Sequence, residues 1–255
     1  MNHRDCILVV FSAAVGFLAA IYSIAFVAPD TGASLLLVFA FGGISMHDFM
    51  VLPFIFSIVP ILLVLSAYAN IIRRELDTIG PYTFSRSHHR SKWFMLKAME
   101  LSGMAFIYTL MYNIIFIGII LLYGSTIDNL SIFFSITIIE IILNALCCSF
   151  WIVLANILSI WDEKAGSFIV IGLFVFCQLI AYVFFRYNPK LSMLLPSVNC
   201  MLILHDWDRL NFMQQKVGID LIGGLTIPMS IIGFIVMIVL LVAIGSLYIN
   251  KYEFL

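Results

Sequence analysis

Charged side chains are scarce in this sequence. Asp, Glu, Lys and Arg together make up only 11% of its 255 residues, whereas they supply about a quarter of a typical soluble domain. Hydrophobic residues account for 63% of the chain. Too few polar side chains remain to keep a globular chain of this size in solution, so the composition indicates a membrane protein.

Charge is also missing from long stretches of the chain. Asp, Glu, Lys and Arg are absent from residues 6–29, 49–72, 101–127, 141–161, 165–185 and 221–250. About twenty residues of α-helix cross the roughly 30 Å hydrocarbon core of a bilayer, and each run reaches that length. The runs lack the alternation of apolar and polar residues that strands of a transmembrane barrel require.

The sequence therefore predicts an all-α polytopic membrane protein with a single transmembrane domain over residues 1–255. The six predicted transmembrane helices lie at about 6–28, 49–72, 99–123, 131–161, 166–185 and 226–249. Two further apolar segments are too short or too broken to be counted as spans. Residues 31–47 are interpreted as an outer-surface or partly inserted segment, and residues 191–205, interrupted by Pro196, as a re-entrant or interfacial hairpin.

Basic residues are distributed unevenly between the loops. Residues 71–98 contain Arg73, Arg74, Arg86, Arg90, Lys92 and Lys97, whereas residues 29–48 and 124–130 contain neither Lys nor Arg. Loops rich in Lys and Arg stay on the cytoplasmic side of a membrane. The distribution thus predicts that the loop at 71–98 is cytoplasmic, and with six spans both termini are cytoplasmic as well.

Several motifs of catalysis and cofactor binding are missing. No glycine precedes a lysine, which excludes a phosphate-binding loop of the Gly-Lys-Ser/Thr type. The His-Glu-x-x-His and Gly-x-Ser-x-Gly motifs of hydrolases are absent, and the five cysteines follow no metal-binding spacing. We therefore expect a chain that is not an enzyme and that has no cofactor or metal of its own.

The basic loop carries the most informative polar pattern. It reads Arg74-Glu75-Leu76-Asp77-Thr78, then Gly80, then Phe84-Ser85-Arg86, and ends in Lys92, Trp93 and Lys97. The second span is expected to continue as a helix through Glu75 and Leu76, and Gly80-Pro81 then stops it. The expected product is a helix–turn–helix elbow that stands in the cytosol.

This pattern resembles the first cytoplasmic loop of the permease subunits of type-2 ABC exporters. The resemblance implies that a short coupling helix in the elbow docks on a separate ATPase subunit, which binds the ATP and Mg²⁺. The residues that it assigns to coupling are Arg74, Glu75, Leu76, Asp77, Thr78, Gly80, Phe84, Ser85 and Arg86. The implied assembly contains two ATPase subunits and a second permease, either an identical copy or a related chain.

The resemblance also implies a function in the cytoplasmic membrane of a bacterium. Such permeases export peptides or lipids or confer immunity to membrane-active peptides, and the apolar interior of this chain favours an amphipathic or hydrophobic cargo. Membrane lipids are expected partners and nucleic acids are not. The alternatives are a secondary transporter and an immunity or accessory protein that transports nothing.

One acidic residue lies deep in the fourth predicted span. Glu140 is about 14 Å along the helix from its outer end, where a carboxylate must be neutralised, paired or hydrated. Asn144 follows one helical turn later on the same face, and Asn113 lies in the third span. These residues form either a polar stripe along a substrate path or a hydrogen-bonded clamp between helices.

Overall fold

The structure is a computed structural model that describes residues 3–26, 32–41, 51–78, 90–127, 129–210 and 222–251. Within these ranges the secondary structure is helical, without a β-strand. The α-helices are α1 (His3–Phe26), α2 (Ala33–Phe41), α3 (Val51–Tyr68), α4 (Ile71–Thr78), α5 (Arg90–Leu122), α6 (Leu130–Ser159), α7 (Glu163–Tyr187), α8 (Pro189–Ser192), α9 (Pro196–Asn199) and α10 (Ile227–Lys251), and a 3₁₀ turn covers Leu202–Leu204.

Six of these segments are long and apolar enough to cross a membrane. They are α1, α3 together with α4, α5, α6, α7 and α10. This confirms the predicted all-α fold with six spans. The helix α5 is longer than the predicted span at 99–123, because it has 33 residues and begins at Arg90. It is therefore about 50 Å long and extends well beyond the hydrocarbon core of a bilayer.

The helix α6 forms the centre of the bundle. It contacts α2, α3, α4, α5, α7 and α10, and 61% of its most apolar segment is buried, against 17% for α10. Its start is fixed locally, since the side-chain oxygen of Asn129 accepts a hydrogen bond from the backbone N–H of Ile132 at 3.2 Å. The exposed apolar faces of the outer helices are the surface that lipid would cover.

The described parts of the two short apolar segments pack on this bundle, and residues 31 and 42–47 of the first segment lie outside the described residues. The nine residues of α2 span about 14 Å, too little to cross a bilayer, and most of its side chains are buried. Residues 189–204 form the short helices α8 and α9 and the 3₁₀ turn, which pack on α6 and α7. Pro196 opens α9, a position that tolerates proline because the first N–H groups of a helix have no partner within it.

Candidate functional site

The described first part of the predicted elbow is the short helix α4. The predicted helical continuation of the second span through Glu75 and Leu76 is confirmed, since Phe54–Thr78 form one apolar helical segment, which a two-residue turn at 69–70 divides into α3 and α4. The helix α4 is amphipathic: Ile71, Ile72 and Leu76 are buried against the bundle, while Arg74, Asp77 and Thr78 are exposed. The elbow therefore presents a polar face outward and is anchored by an apolar one.

An asparagine from α6 repairs the backbone at this break. The amide nitrogen of Asn156 donates to the carbonyl oxygen of Tyr68 at 2.7 Å, and its oxygen accepts from the backbone N–H of Ile72 at 2.9 Å. The side chain of Asn156 is fully buried. A distant span therefore supplies the hydrogen bonds that the interrupted helix lacks, which explains why no local sequence signal predicted the break.

Ionic and hydrogen-bonded contacts fix the elbow to two further places. The ammonium group of Lys97 on α5 lies 3.0 Å from the carboxylate of Glu75 and 2.8 Å from that of Glu100. The guanidinium group of Arg73 donates to the carbonyl oxygen of Ile160 at 2.9 Å and pairs with Asp77 at 3.0 Å. These contacts tie α4 to α5 and to Ile160, the residue that follows α6.

The predicted coupling residues thus fall into three groups. Arg74, Asp77 and Thr78 lie on the exposed face of α4. Glu75 and Leu76 turn inward, Glu75 toward Lys97 and Leu76 into the apolar core. The remaining predicted positions, Gly80, Phe84, Ser85 and Arg86, lie outside the described residues.

A second polar site lies inside the bundle, around Glu140. Its side chain is fully buried, and one carboxylate oxygen accepts a hydrogen bond from the amide nitrogen of Asn144 at 2.6 Å. The same nitrogen also donates to the backbone oxygen of Glu140 at 3.2 Å. The prediction that Glu140 and Asn144 share one helix face is confirmed. Among the described residues, the other carboxylate oxygen has no hydrogen-bond partner.

Asn113 is buried at a similar depth but is not joined to this pair. It lies nine residues before the end of α5, and Glu140 lies ten residues after the start of α6, so both are about 14–15 Å from the turn between these helices. The amide nitrogen of Asn113 donates to the carbonyl oxygen of Thr109 at 2.9 Å. Within the described residues no hydrogen bond links it to Glu140 or Asn144, and its side-chain oxygen has no partner.

A narrow cleft lies beside the side chains of Asn113, Glu140 and Asn144, which together form the polar layer of the bundle. It is lined by Phe41, Phe56, Ser57, Pro60, Ile61, Tyr112, Asn144, Cys148, Gln178, Cys200 and Met201. Gln178 was missed at the sequence level. It lies fifteen residues after the start of α7, and Asn144 lies fifteen residues before the end of α6, which places the two amides at one depth in the bundle. A single amide in an otherwise apolar run was the available signal.

Among the described residues, no three His, Cys, Asp or Glu side chains come together in a group that could hold a metal ion. The described sites are therefore the elbow and the polar layer with its cleft.

Comparison with known proteins places the chain in a family. No curated protein and no solved structure matches it. The family described as "Protein of unknown function (DUF2705)" matches residues 7–255, which include all six spans, the elbow and the polar layer. Because the match extends over almost the whole sequence, the chain belongs to this family.

Proposed function

We propose that this chain is the permease subunit of an ATP-driven ABC exporter, powered by an ATPase on a separate polypeptide. The observation that carries the proposal is the attachment of α4 to the bundle. A short amphipathic helix with an exposed polar face is the shape of a docking element, and α4 is tied to α5 and α6 by the contacts of Lys97 and Asn156.

Through these contacts a movement of α4 would be transmitted to the transmembrane bundle. The hydrogen bond between the backbone N–H of Ile72 and the side chain of Asn156 joins α4 directly to α6, the central helix of the bundle. Because α6 contacts most of the other helices, a displacement of α4 is transmitted to the centre of the bundle. Closure of an ATPase pair against α4 would then change which side of the bundle is open.

The proposed setting follows from the distribution of charge. The elbow lies on the cytoplasmic side, both termini are cytoplasmic, and the ATPase binds there with its ATP and Mg²⁺. A second permease, a copy or a related chain, completes the transporter. The cargo is an amphipathic peptide or lipid, since the interior of the bundle is predominantly apolar and the described cleft has aromatic and aliphatic walls.

Affinity purification of the tagged chain in mild detergent tests the proposal. An ATP-binding protein should co-purify, and Arg74→Glu, which reverses a charge on the exposed face of α4, should reduce its recovery by about tenfold. The control is Lys190→Glu, which makes the same charge change at an exposed position in α8. Full recovery of the ATPase with Arg74→Glu, or equal loss with both variants, contradicts docking at α4.

A further inference from the structure

We propose that the cleft binds a primary ammonium group carried on an aliphatic stem. This inference rests on the proposed function, because the ammonium group belongs to the transported cargo. The walls contributed by α2, α3, α5, α6 and α7 combine two side-chain amides with aromatic rings. The carboxyl group of Glu140 lies outside the walls and is hydrogen-bonded to the wall residue Asn144. Amide oxygens, aromatic rings and a carboxyl group are the groups that recognise an organic cation.

The orientation of Asn144 is fixed by Glu140. Both contacts of its amide nitrogen, at 2.6 and 3.2 Å, are to oxygens of Glu140, which only accept from it. The amide oxygen of Asn144 must therefore face the opposite way, on the side that lines the cleft. This oxygen is a hydrogen-bond acceptor that a donor group in the cleft would satisfy.

Further oxygens in the same layer have no donor among the described residues. They are one carboxylate oxygen of Glu140 and the side-chain oxygens of Asn113 and Gln178, all buried. A buried acceptor that is left unsatisfied costs about 1–3 kcal/mol. A ligand with several N–H donors would satisfy these acceptors, and an ammonium group has three N–H donors and no acceptor.

The remaining walls suit a positive charge and a hydrocarbon stem. The rings of Phe41, Phe56 and Tyr112 line the cleft, and the first and last of these pack with their centroids 4.9 Å apart. Aromatic faces attract ammonium ions, and Pro60 and Ile61 provide apolar contact for methylene groups. The carboxyl group of Glu140, which lies outside the walls one helical turn from Asn144, would supply a countercharge in its ionised form.

Two kinds of cargo carry a primary ammonium group on an aliphatic stem. A lysine side chain of an exported peptide has an ammonium group on four methylene groups, and phosphatidylethanolamine has one on a shorter stem. Both ligands share the group that the cleft would hold, so the structure assigns the ammonium group and the experiment separates its sources.

Binding is tested with the full-length chain in detergent and butylammonium chloride as the probe. Butylammonium should raise the midpoint of thermal unfolding in a saturable manner. Trimethylbutylammonium, which has the same charge and stem but no N–H donor and a bulkier head, should bind at least about tenfold more weakly. Equal affinity for the two cations, or no saturable effect of butylammonium, overturns the proposal.

Substitutions locate the probe in the cleft. Glu140→Gln removes the charge while keeping an acceptor for Asn144, and Gln178→Leu removes an amide from the wall; each should weaken butylammonium binding by about tenfold. The control is Glu100→Gln, which removes a carboxylate that pairs with Lys97 at the elbow end of α5. Undiminished binding by both cleft variants, each folded by gel filtration, places the probe elsewhere and overturns the assignment.

Competition with bound butylammonium identifies which kind of cargo carries the ammonium group. A lysine-containing amphipathic peptide that displaces butylammonium identifies a peptide cargo, and displacement by phosphatidylethanolamine in nanodiscs, but not by phosphatidylcholine, identifies a lipid. If neither displaces the probe, no ammonium-bearing cargo uses the cleft and the proposal fails. The assay contains no ATPase, so failure here leaves docking at α4 intact, and loss of ATPase co-purification leaves amine binding intact.

Discussion

At the scale of single residues, a buried amide controls the geometry of the elbow. Asn156 bridges the N–H of Ile72 and the carbonyl oxygen of Tyr68, the two groups that a continuous helix would join by one backbone hydrogen bond. It also donates to the carbonyl oxygen of Ile152 in its own helix at 2.9 Å. The break between α3 and α4 is therefore stabilised by a side chain of α6 rather than by local helix propensity.

Asn156→Leu should destabilise the protein. The substitution preserves volume approximately but removes the side-chain hydrogen bonds to the N–H of Ile72 and the carbonyl of Tyr68, at a cost of about 1–3 kcal/mol. Thermal unfolding in detergent measures the effect. Asn250→Leu is the control, because Asn250 is exposed and donates to the hydroxyl of Ser91 at 2.7 Å, and such surface changes stay within about 0.5 kcal/mol. Equal midpoints for the two variants would refute the role of Asn156.

A buried histidine joins the segment before the last span to α10. The ring of His205 contacts the carbonyl of Met201 at 3.0 Å and the hydroxyl of Ser230 at 2.8 Å, and Ser230 in turn donates to Asn199 at 2.8 Å. Burial lowers the pKa of His205, and hydrogen bonds to the backbone of Met201 and Leu202 offset part of that effect. The folded protein thus holds this imidazole in its neutral form more strongly than the unfolded chain does.

Stability should accordingly fall in mild acid. The unfolded chain binds a proton at His205 near its ordinary pKa of about 6.5, while the folded chain binds it only at lower pH. The contribution of His205 is complete above about pH 6.5 and is lost as pH falls toward the lowered pKa of the folded state. Thermal midpoints measured across this range should drop more for the natural chain than for His205→Gln. Parallel curves would show that His205 does not carry the effect.

At the scale of helices, one close contact between α1 and α5 involves a residue of the cleft wall. A Cβ atom added at Gly16 in α1 would lie 2.6 Å from the carbonyl oxygen of Tyr112 in α5. The absence of a side chain therefore permits the two backbones to approach, as small residues do between membrane helices. The close approach of α1 therefore involves the backbone of a residue that lines the cleft.

Gly16→Ala should separate α1 from α5 and lower stability. The added methyl group meets backbone, which cannot move aside as a flexible side chain can. Gly118→Ala in α5 is the matched control, since a Cβ atom added at that position would meet open space, and alanine is the better helix former by about 1 kcal/mol. We expect a lower thermal midpoint for the first variant and an unchanged or higher one for the second. The opposite order would contradict the close contact.

Helices were predictable from the sequence to different degrees. The spans followed from uninterrupted apolar runs, and the common helix face of Glu140 and Asn144 followed from their spacing of one helical turn. The break between α3 and α4 was not predictable, because its stabilising partner, Asn156, is remote in sequence. Gln178 was missed for a similar reason: only the antiparallel packing of α7 on α6 brings it level with Asn144.

At the scale of the whole molecule, the proposal requires a defined orientation. The elbow must face the cytoplasm, where ATP is available, and the segment around α8 must face the opposite side. Lys92 at the start of α5 and Lys190 in α8 are both exposed and report on these two ends.

Labelling of introduced cysteines in intact cells measures this orientation. Lys190→Cys should react with a membrane-impermeant maleimide, whereas Lys92→Cys should react only after the membrane is permeabilised. The unsubstituted chain, with its five cysteines, gives the background. Labelling of Lys92→Cys alone in intact cells would reverse the orientation and remove the ATPase from reach of α4.

The central claim is that an ATPase contacts the exposed face of α4, and photo-crosslinking in living cells tests it most directly. A photoreactive amino acid replaces Thr78, which is exposed on α4, or Leu122, which is 90% exposed at the far end of α5. Mass spectrometry then identifies the captured proteins. We predict that the photoreactive residue at position 78, and not the one at position 122, captures a protein with an ATP-binding loop. Capture of no ATPase at position 78 would contradict it.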